Sequence, residues 1–225
     1  TGAAGAIAHA IRCVTEPGDE ILTFAPYFPE YQPYVNLSGA FLKVVPANVE
    51  DFQINFDAFE EMLTEKVMAV LINTPNNPSG VVYTAETIRK LADIMTAKAK
   101  AYGHDIFLIS DEPYREIAFA GVTVPYPSAF YDNSLSCYSF SKSLSLPGER
   151  IGYIAVNPAC TDAEYITNMC AQISRGTGHN CPPSMIQLAV ARALDLTADL
   201  SVYETNMKIL YKELTDLGFS CVKPG

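Results

Sequence analysis

Hydrophobic positions in this chain alternate between two rhythms. Positions 67–72 (Val-Met-Ala-Val-Leu-Ile) are apolar without a break, the pattern of a central parallel strand covered on both faces. Shorter apolar runs at 20–24, 41–45, 105–110, 135–140 and 151–156 predict further strands. Between them, Ile88, Leu91, Ala92, Met95, Ala99 and Tyr102 recur at helical spacing behind Thr84, a predicted N-cap. Helices are also predicted over 1–14, 30–38, 56–63, 161–174 and 183–195. Leu200, Tyr203, Met207, Leu210, Leu214 and Leu217 repeat at three and four, which predicts a long amphipathic helix near the end. Strands alternating with crossovers of this length predict an α/β fold with a mostly parallel, doubly wound sheet.

Composition narrows the function classes. About half of the 225 residues are apolar and none of the sequence is low-complexity, as expected of a globular protein. A formal net charge of −10, with few and scattered basic residues, argues against a nucleic-acid surface or an anionic membrane as partner. No apolar run reaches the length of about 18 residues that a membrane helix needs. Cys13, Cys137, Cys160, Cys170, Cys181 and Cys221 are widely spaced and form no C-x-x-C pair. Neither zinc nor a redox dithiol is therefore expected, and the cysteines read as small buried side chains in a reducing cytoplasm. The opening at Thr1, inside what reads as a glycine-rich turn, and the end at Gly225 suggest an excised piece of a longer protein.

Candidate chemistry gathers at the predicted carboxyl ends of strands, where α/β sheets bind ligands. The stretch Ser139-Phe140-Ser141-Lys142-Ser143 follows the run at 135–140, and Arg150 comes eight positions after Lys142. An amine at the end of a buried strand loses hydration, the usual route to a Schiff-base lysine, while serines and an arginine are donors that a phosphate requires. Lysine beside a phosphate cradle is what pyridoxal phosphate needs; a solvated lysine in a surface loop is the plainer alternative. The residues of this stretch alone leave both open. Gly2-Ala3-Ala4-Gly5 places small residues at a helix start, where backbone N–H groups attract anions, but it lacks the G-x-G-x-x-G spacing of a dinucleotide site. Pro26-Tyr27-Phe28-Pro29 holds aromatics in a fixed turn; Asn73 to Gly80 is a loop rich in proline and asparagine after the central strand. Asp111 ends another apolar run, and an acid there is costly to bury without a cationic partner. Glu112 and Arg115 read as solvated neighbours.

Together these segments resemble, in order and motif, the aspartate-aminotransferase-like family of class I/II aminotransferases of pyridoxal phosphate fold type I. The Ser-Phe-Ser-Lys-Ser-(five residues)-Glu-Arg-Ile-Gly pattern is similar to that family's lysine segment, and the likeness runs from Thr1 to about the final helix. The resemblance implies a large domain truncated at both ends over 1–198, with 199–225 as a connecting helix towards an absent small domain. It also implies that 151–156 is the sheet's antiparallel strand. Lys142 would be the Schiff-base residue and proton shuttle, and Asp111 the partner of the cofactor's ring nitrogen. Asn77 and Tyr114 would face its phenolic oxygen and Phe28 would stack on the ring. The amides of Ala3 and Ala4, with Ser139, Ser141 and Arg150, would hold its phosphate. Arg175, in the irregular stretch 175–183, would be a candidate for a substrate carboxylate. The implied activity is amino-group transfer between an amino acid and a 2-oxo acid by a cytoplasmic homodimer. A C–S lyase or related fold-type I enzyme, an inactive dimerising module and a cofactor-free Schiff-base aldolase are the rivals. Because the family's α-carboxylate arginine and a partner-subunit tyrosine fall outside 1–225, this piece by itself is expected to bind cofactor poorly and turn over nothing.

Overall fold

The computed structural model describes residues 2–119 and 121–225. In chain order its elements are α1 (Gly2–Val14), β1 (Glu20–Phe24), α2 (Tyr31–Asn36), β2 (Phe41–Val45), α3 (Phe56–Met62), β3 (Val67–Asn73), α4 (Ala85–Tyr102) and β4 (Phe107–Asp111). They continue with β5 (Ser134–Ser139), α5 (Phe140–Ser143), β6 (Gly152–Val156), α6 (Ala163–Gly176), α7 (Ser184–Ala191) and α8 (Ser201–Asp216). Thr1, placed by the sequence at the start of α1, lies outside the described residues.

Six strands form one sheet in the order β2-β1-β3-β4-β5-β6. Neighbours are parallel except β5 and β6, which pair antiparallel with Ser139 opposite Gly152. β3 is central and buried throughout its carboxyl half, as its unbroken apolar run requires. Alternation then sorts its side chains. Ala69 and Leu71 point into a core made with Ile7, Ala10 and Ile11 of α1, whereas Val70 and Ile72 join Phe59 of α3 and Ile88, Leu91 and Met95 of α4. Full burial of each such large aliphatic side chain is worth about 1.5–3 kcal/mol. α4 begins where its cap was expected: the Thr84 side chain accepts from the Thr87 N–H at 3.0 Å, and Gly103 ends the helix in the left-handed region at φ +76°.

Several boundaries differ from the sequence reading. The strand over 135–140 is Ser134–Ser139, and the chain turns at Phe140 into the single helical turn α5 because the Ser139 side chain caps the N–H of Ser141. Arg175 is exposed in the last turn of α6 and not in an irregular loop, since the helix runs on to Gly176. α8 forms as predicted, yet none of its residues is buried, and Leu210 and Leu217 are uncovered among the described residues. The cysteine spacing also misled. Packing of α1 against α6 brings the Sγ atoms of Cys13 and Cys170 to 3.2 Å, and Cys181 is exposed, so only Cys137 and Cys160 are buried as expected. Among the described residues no helix is long and apolar enough to cross a membrane.

Candidate active site at the carboxyl edge of the sheet

The parallel strands β3, β4 and β5 all discharge their carboxyl ends towards the first turn of α1, and a cavity of about 300 Å³ lies between them. All ten candidate cofactor residues line it, and Arg175 does not: Ala3 and Ala4 come from α1, Phe28 from the β1–α2 turn, Asn77 from the loop after β3, Asp111 and Tyr114 from the end of β4, and Ser139, Ser141, Lys142 and Arg150 from the end of β5 and the segment after it. The convergence follows from topology. Parallel strands with crossovers on the faces leave every strand-to-helix loop on one edge.

Asp111 sits at the buried end of the cavity, 5 % exposed. Its Oδ2 accepts a hydrogen bond from the Tyr31 hydroxyl at 2.6 Å, while Oδ1 is buried and has no hydrogen-bond partner among the described residues. Burial pushes the carboxyl pKa up to about 7, against the lowering effect of the Tyr31 hydrogen bond. Asn73, the last residue of β3, ties this end together: its Nδ2 donates to the Asp111 carbonyl at 2.9 Å, and its Oδ1 accepts from the Asn77 N–H at 2.7 Å. The Asn77 side chain in turn donates to the Tyr114 hydroxyl at 3.4 Å.

At the other end the donors are hydroxylic and cationic. Ser139 and Ser141 place their Oγ atoms 2.6 Å apart. Arg150 adopts the left-handed region at φ +51°, and its Nη1 donates to the Pro147 carbonyl at 2.7 Å. A Cβ built on Gly2 would lie 3.0 Å from Arg150 Nη2, so glycine at this position lets the guanidinium approach the amino end of α1. Lys142 lies between the two ends, with Nζ 5.6 Å from the centre of the Tyr114 ring. The desolvated lysine expected from the sequence is not found: α5 lifts the side chain off the strand end, and Lys142 is exposed.

A second expectation is overturned beside Asp111. Glu112 and Arg115 are not solvated; their side chains are 4 % and 9 % exposed and form an ion pair. The Glu112 N–H still continues the ladder to the Cys137 carbonyl at 2.9 Å, which draws the carboxylate inward, where Oε1 accepts from Ser136 Oγ at 3.1 Å. The Arg115 guanidinium lies 3.6 Å over the Tyr126 ring. Sequence reading also missed Tyr31 and Asn73. The local signal for Tyr31 was its place two residues after Pro29, at the start of the helix that follows the aromatic turn.

Residues 1–225 match the sequence model of aminotransferase class I and II along their whole length. The chain belongs to the class I and II aminotransferase family. Among curated relatives, the aromatic-amino-acid aminotransferase 2 of Thermococcus litoralis is 30 % identical over 217 residues, covering 92 % of this chain and 52 % of that protein. The aspartate aminotransferase of Pyrococcus abyssi is 30 % identical over 99 % of this chain and 57 % of its own length. A crystal structure of an amino transferase from Eubacterium rectale superposes with a TM-score of 0.97 at 47 % identity, covering 99 % of this chain and 56 % of that one. The chain thus spans about half the length of the curated relatives it matches.

Class I and II aminotransferases use pyridoxal phosphate. The residues of this chain fit that group at a point independent of the likeness: Asp111, one of whose buried oxygens has no donor among the described residues, lines the same cavity as an amine and a cluster of hydroxyls with a guanidinium. A cationic ring nitrogen is the donor that such an oxygen calls for.

Proposed function

We propose that the intact protein transfers an amino group between an amino acid and a 2-oxo acid with pyridoxal phosphate as cofactor. The observation that carries the reading is the unpartnered Oδ1 of Asp111 in one cavity with Lys142 and Arg150. When bound, the cofactor supplies an electrophilic carbonyl and a ring that accepts electrons.

The chain's own residues have separable tasks. Asp111 would pair with the cofactor's ring nitrogen, and the Tyr31 hydroxyl on its Oδ2 orients the carboxylate beforehand. Burial makes its ionised form unfavourable without a nearby cation, which ties ionisation of Asp111 to occupancy of the site. Lys142 Nζ would be the amine that holds the cofactor's carbonyl and the base that moves a proton at the substrate's Cα. Asn77 and Tyr114, already hydrogen-bonded to each other, donate to the phenolic oxygen. Ser139, Ser141, Arg150 and the N–H groups of Ala3 and Ala4, at the positive end of α1, hold the phosphate. Phe28 packs edge-on to Tyr31 at 5.8 Å between centroids and offers a face to the ring.

The reading extends to a homodimer in the cytoplasm, with α8 joining this large domain to a smaller one. The uncovered apolar residues of α7 and α8, Met185, Leu188, Ile209 and Leu210 among them, support burial against further protein, and six cysteines outside any disulfide suit a reducing compartment.

The test is borohydride reduction of the full-length protein followed by peptide mass mapping, with amino-group transfer to 2-oxoglutarate assayed in parallel. A phosphopyridoxyl mass on Lys142 and transfer of the amino group are expected. An adduct on another lysine removes the site assignment, and release of ammonia or a thiol in place of transfer removes the transferase reading.

A further inference from the structure

Two thiols outside this site meet in space. Cys13, in the last turn of α1, and Cys170, midway along α6, are 157 positions apart and bring their sulfurs to 3.2 Å. A disulfide bond of about 2 Å asks these sulfurs to close by only about 1 Å. Both side chains are half-buried and neither is sealed from water. Cys170 also lines a second cavity, about 230 Å³, together with His9, Ser174, His179 and Asn180. Cys13 is not among its lining residues, so the two sulfurs differ in access.

We propose that Cys13 and Cys170 form a peroxide-reactive dithiol, with Cys170 the sulfur that is oxidised first and an intrachain disulfide between α1 and α6 as the product. The Cys170 sulfur attacks one oxygen of hydrogen peroxide: an S–O bond forms, the O–O bond breaks, and the departing hydroxide takes the thiol proton as water. The Cys13 sulfur then attacks the Cys170 sulfur. The S–S bond forms, the S–O bond breaks, and the hydroxyl leaves with the Cys13 proton as a second water. Two thiols are oxidised and one peroxide is reduced to two waters.

The order of attack has an electrostatic basis as well as a steric one. The hydrogen bond between the two sulfurs favours the thiolate at Cys170, whose pKa is lowered, and the same bond with burial raises that of Cys13. The disulfide anchors the far end of the helix whose first turn, at Ala3 and Ala4, lines the candidate active site.

The experiment treats the full-length protein with hydrogen peroxide, blocks the remaining thiols, and maps the unreduced digest by mass. A Cys13–Cys170 linked peptide pair that vanishes on treatment with dithiothreitol is expected as the first product. In Cys13→Ser, dimedone is expected to label Cys170 as the sulfenic acid with no linked pair. The proposal is overturned if the exposed Cys181 or another thiol oxidises while Cys13 and Cys170 stay reduced, or if dimedone in Cys13→Ser labels other cysteines and spares Cys170. The wild-type map decides the question by itself should the serine variant not fold.

Discussion

The hydroxyl of Tyr31 donates to Asp111 Oδ2 at 2.6 Å, leaving Oδ1 of the same buried carboxylate without a partner among the described residues. One oxygen is thus committed to the scaffold, the other is left without a donor, and the residue that carries both lines the cavity. Tyr31 is fully buried on α2 and Asp111 ends β4, so a helix on one face of the sheet orients an acid at its edge.

Tyr31→Phe keeps the ring packing and removes this donor. A hydrogen bond to a charged acceptor is worth about 1.5–3 kcal/mol, so kcat/KM of the full-length enzyme is expected to fall by roughly tenfold or more at neutral pH. Because the Tyr31 bond lowers the Asp111 pKa, its loss should move the acid limb of the pH–rate profile upward. An unshifted limb would show that Tyr31 serves packing alone.

Asp111 predicts a pH dependence of stability in cofactor-free protein. Its folded pKa is raised from 3.8 to about 7 by burial, so between these values the folded state binds the extra proton. Stability from this group is complete below the unfolded pKa and is lost as pH rises through about 7. The full shift corresponds to an upper bound of roughly 4 kcal/mol. Urea midpoints followed across this window should fall more steeply for wild type than for Asp111→Asn. Parallel curves would contradict the assignment.

The ion pair between Glu112 and Arg115 makes a sharper stability prediction. Glu112→Ala strands a buried guanidinium whose Nη1 already lacks a partner among the described residues, at a cost of about 3–5 kcal/mol. The double variant Glu112→Ala/Arg115→Met should regain part of the loss, as a double-mutant cycle in urea would record. Solvated residues would each change stability by less than about 0.5 kcal/mol.

Gly152 is required by a close approach. A Cβ there would overlap the Tyr138 carbonyl oxygen and lie 3.1 Å from the backbone of Gly2. Gly152→Ala should destabilise by about 1–3 kcal/mol through forced displacement of β6 from β5 and α1. Lowered urea midpoint and faster amide exchange in β6 are the readouts.

Much of the architecture was legible along the chain because it rests on local periodicity. The unbroken apolar run at 67–72 and the capped stripe behind Thr84 became β3 and α4 with little change. The ten site residues were legible for a different reason. Each lies at or after the carboxyl end of a strand or in the first turn of a helix, and α/β topology sends those segments to one edge. The end of α6 was placed two residues early, because the helix runs on through Arg175 to Gly176.

The sequence by itself determined the alternation of strands and helices and which loops carry an amine, an acid, hydroxyls and a guanidinium. Those follow from side-chain pattern and spacing, which are properties of neighbouring residues; the family came from the likeness of the ordered motifs. Only the tertiary structure decided that Glu112 and Arg115 neutralise each other in the interior, that Tyr31 supports Asp111, that Lys142 stands exposed on α5, and that Cys13 touches Cys170. Burial and pairing across 80 or 157 positions depend on how helices dock on the sheet, and no short-range pattern encodes that.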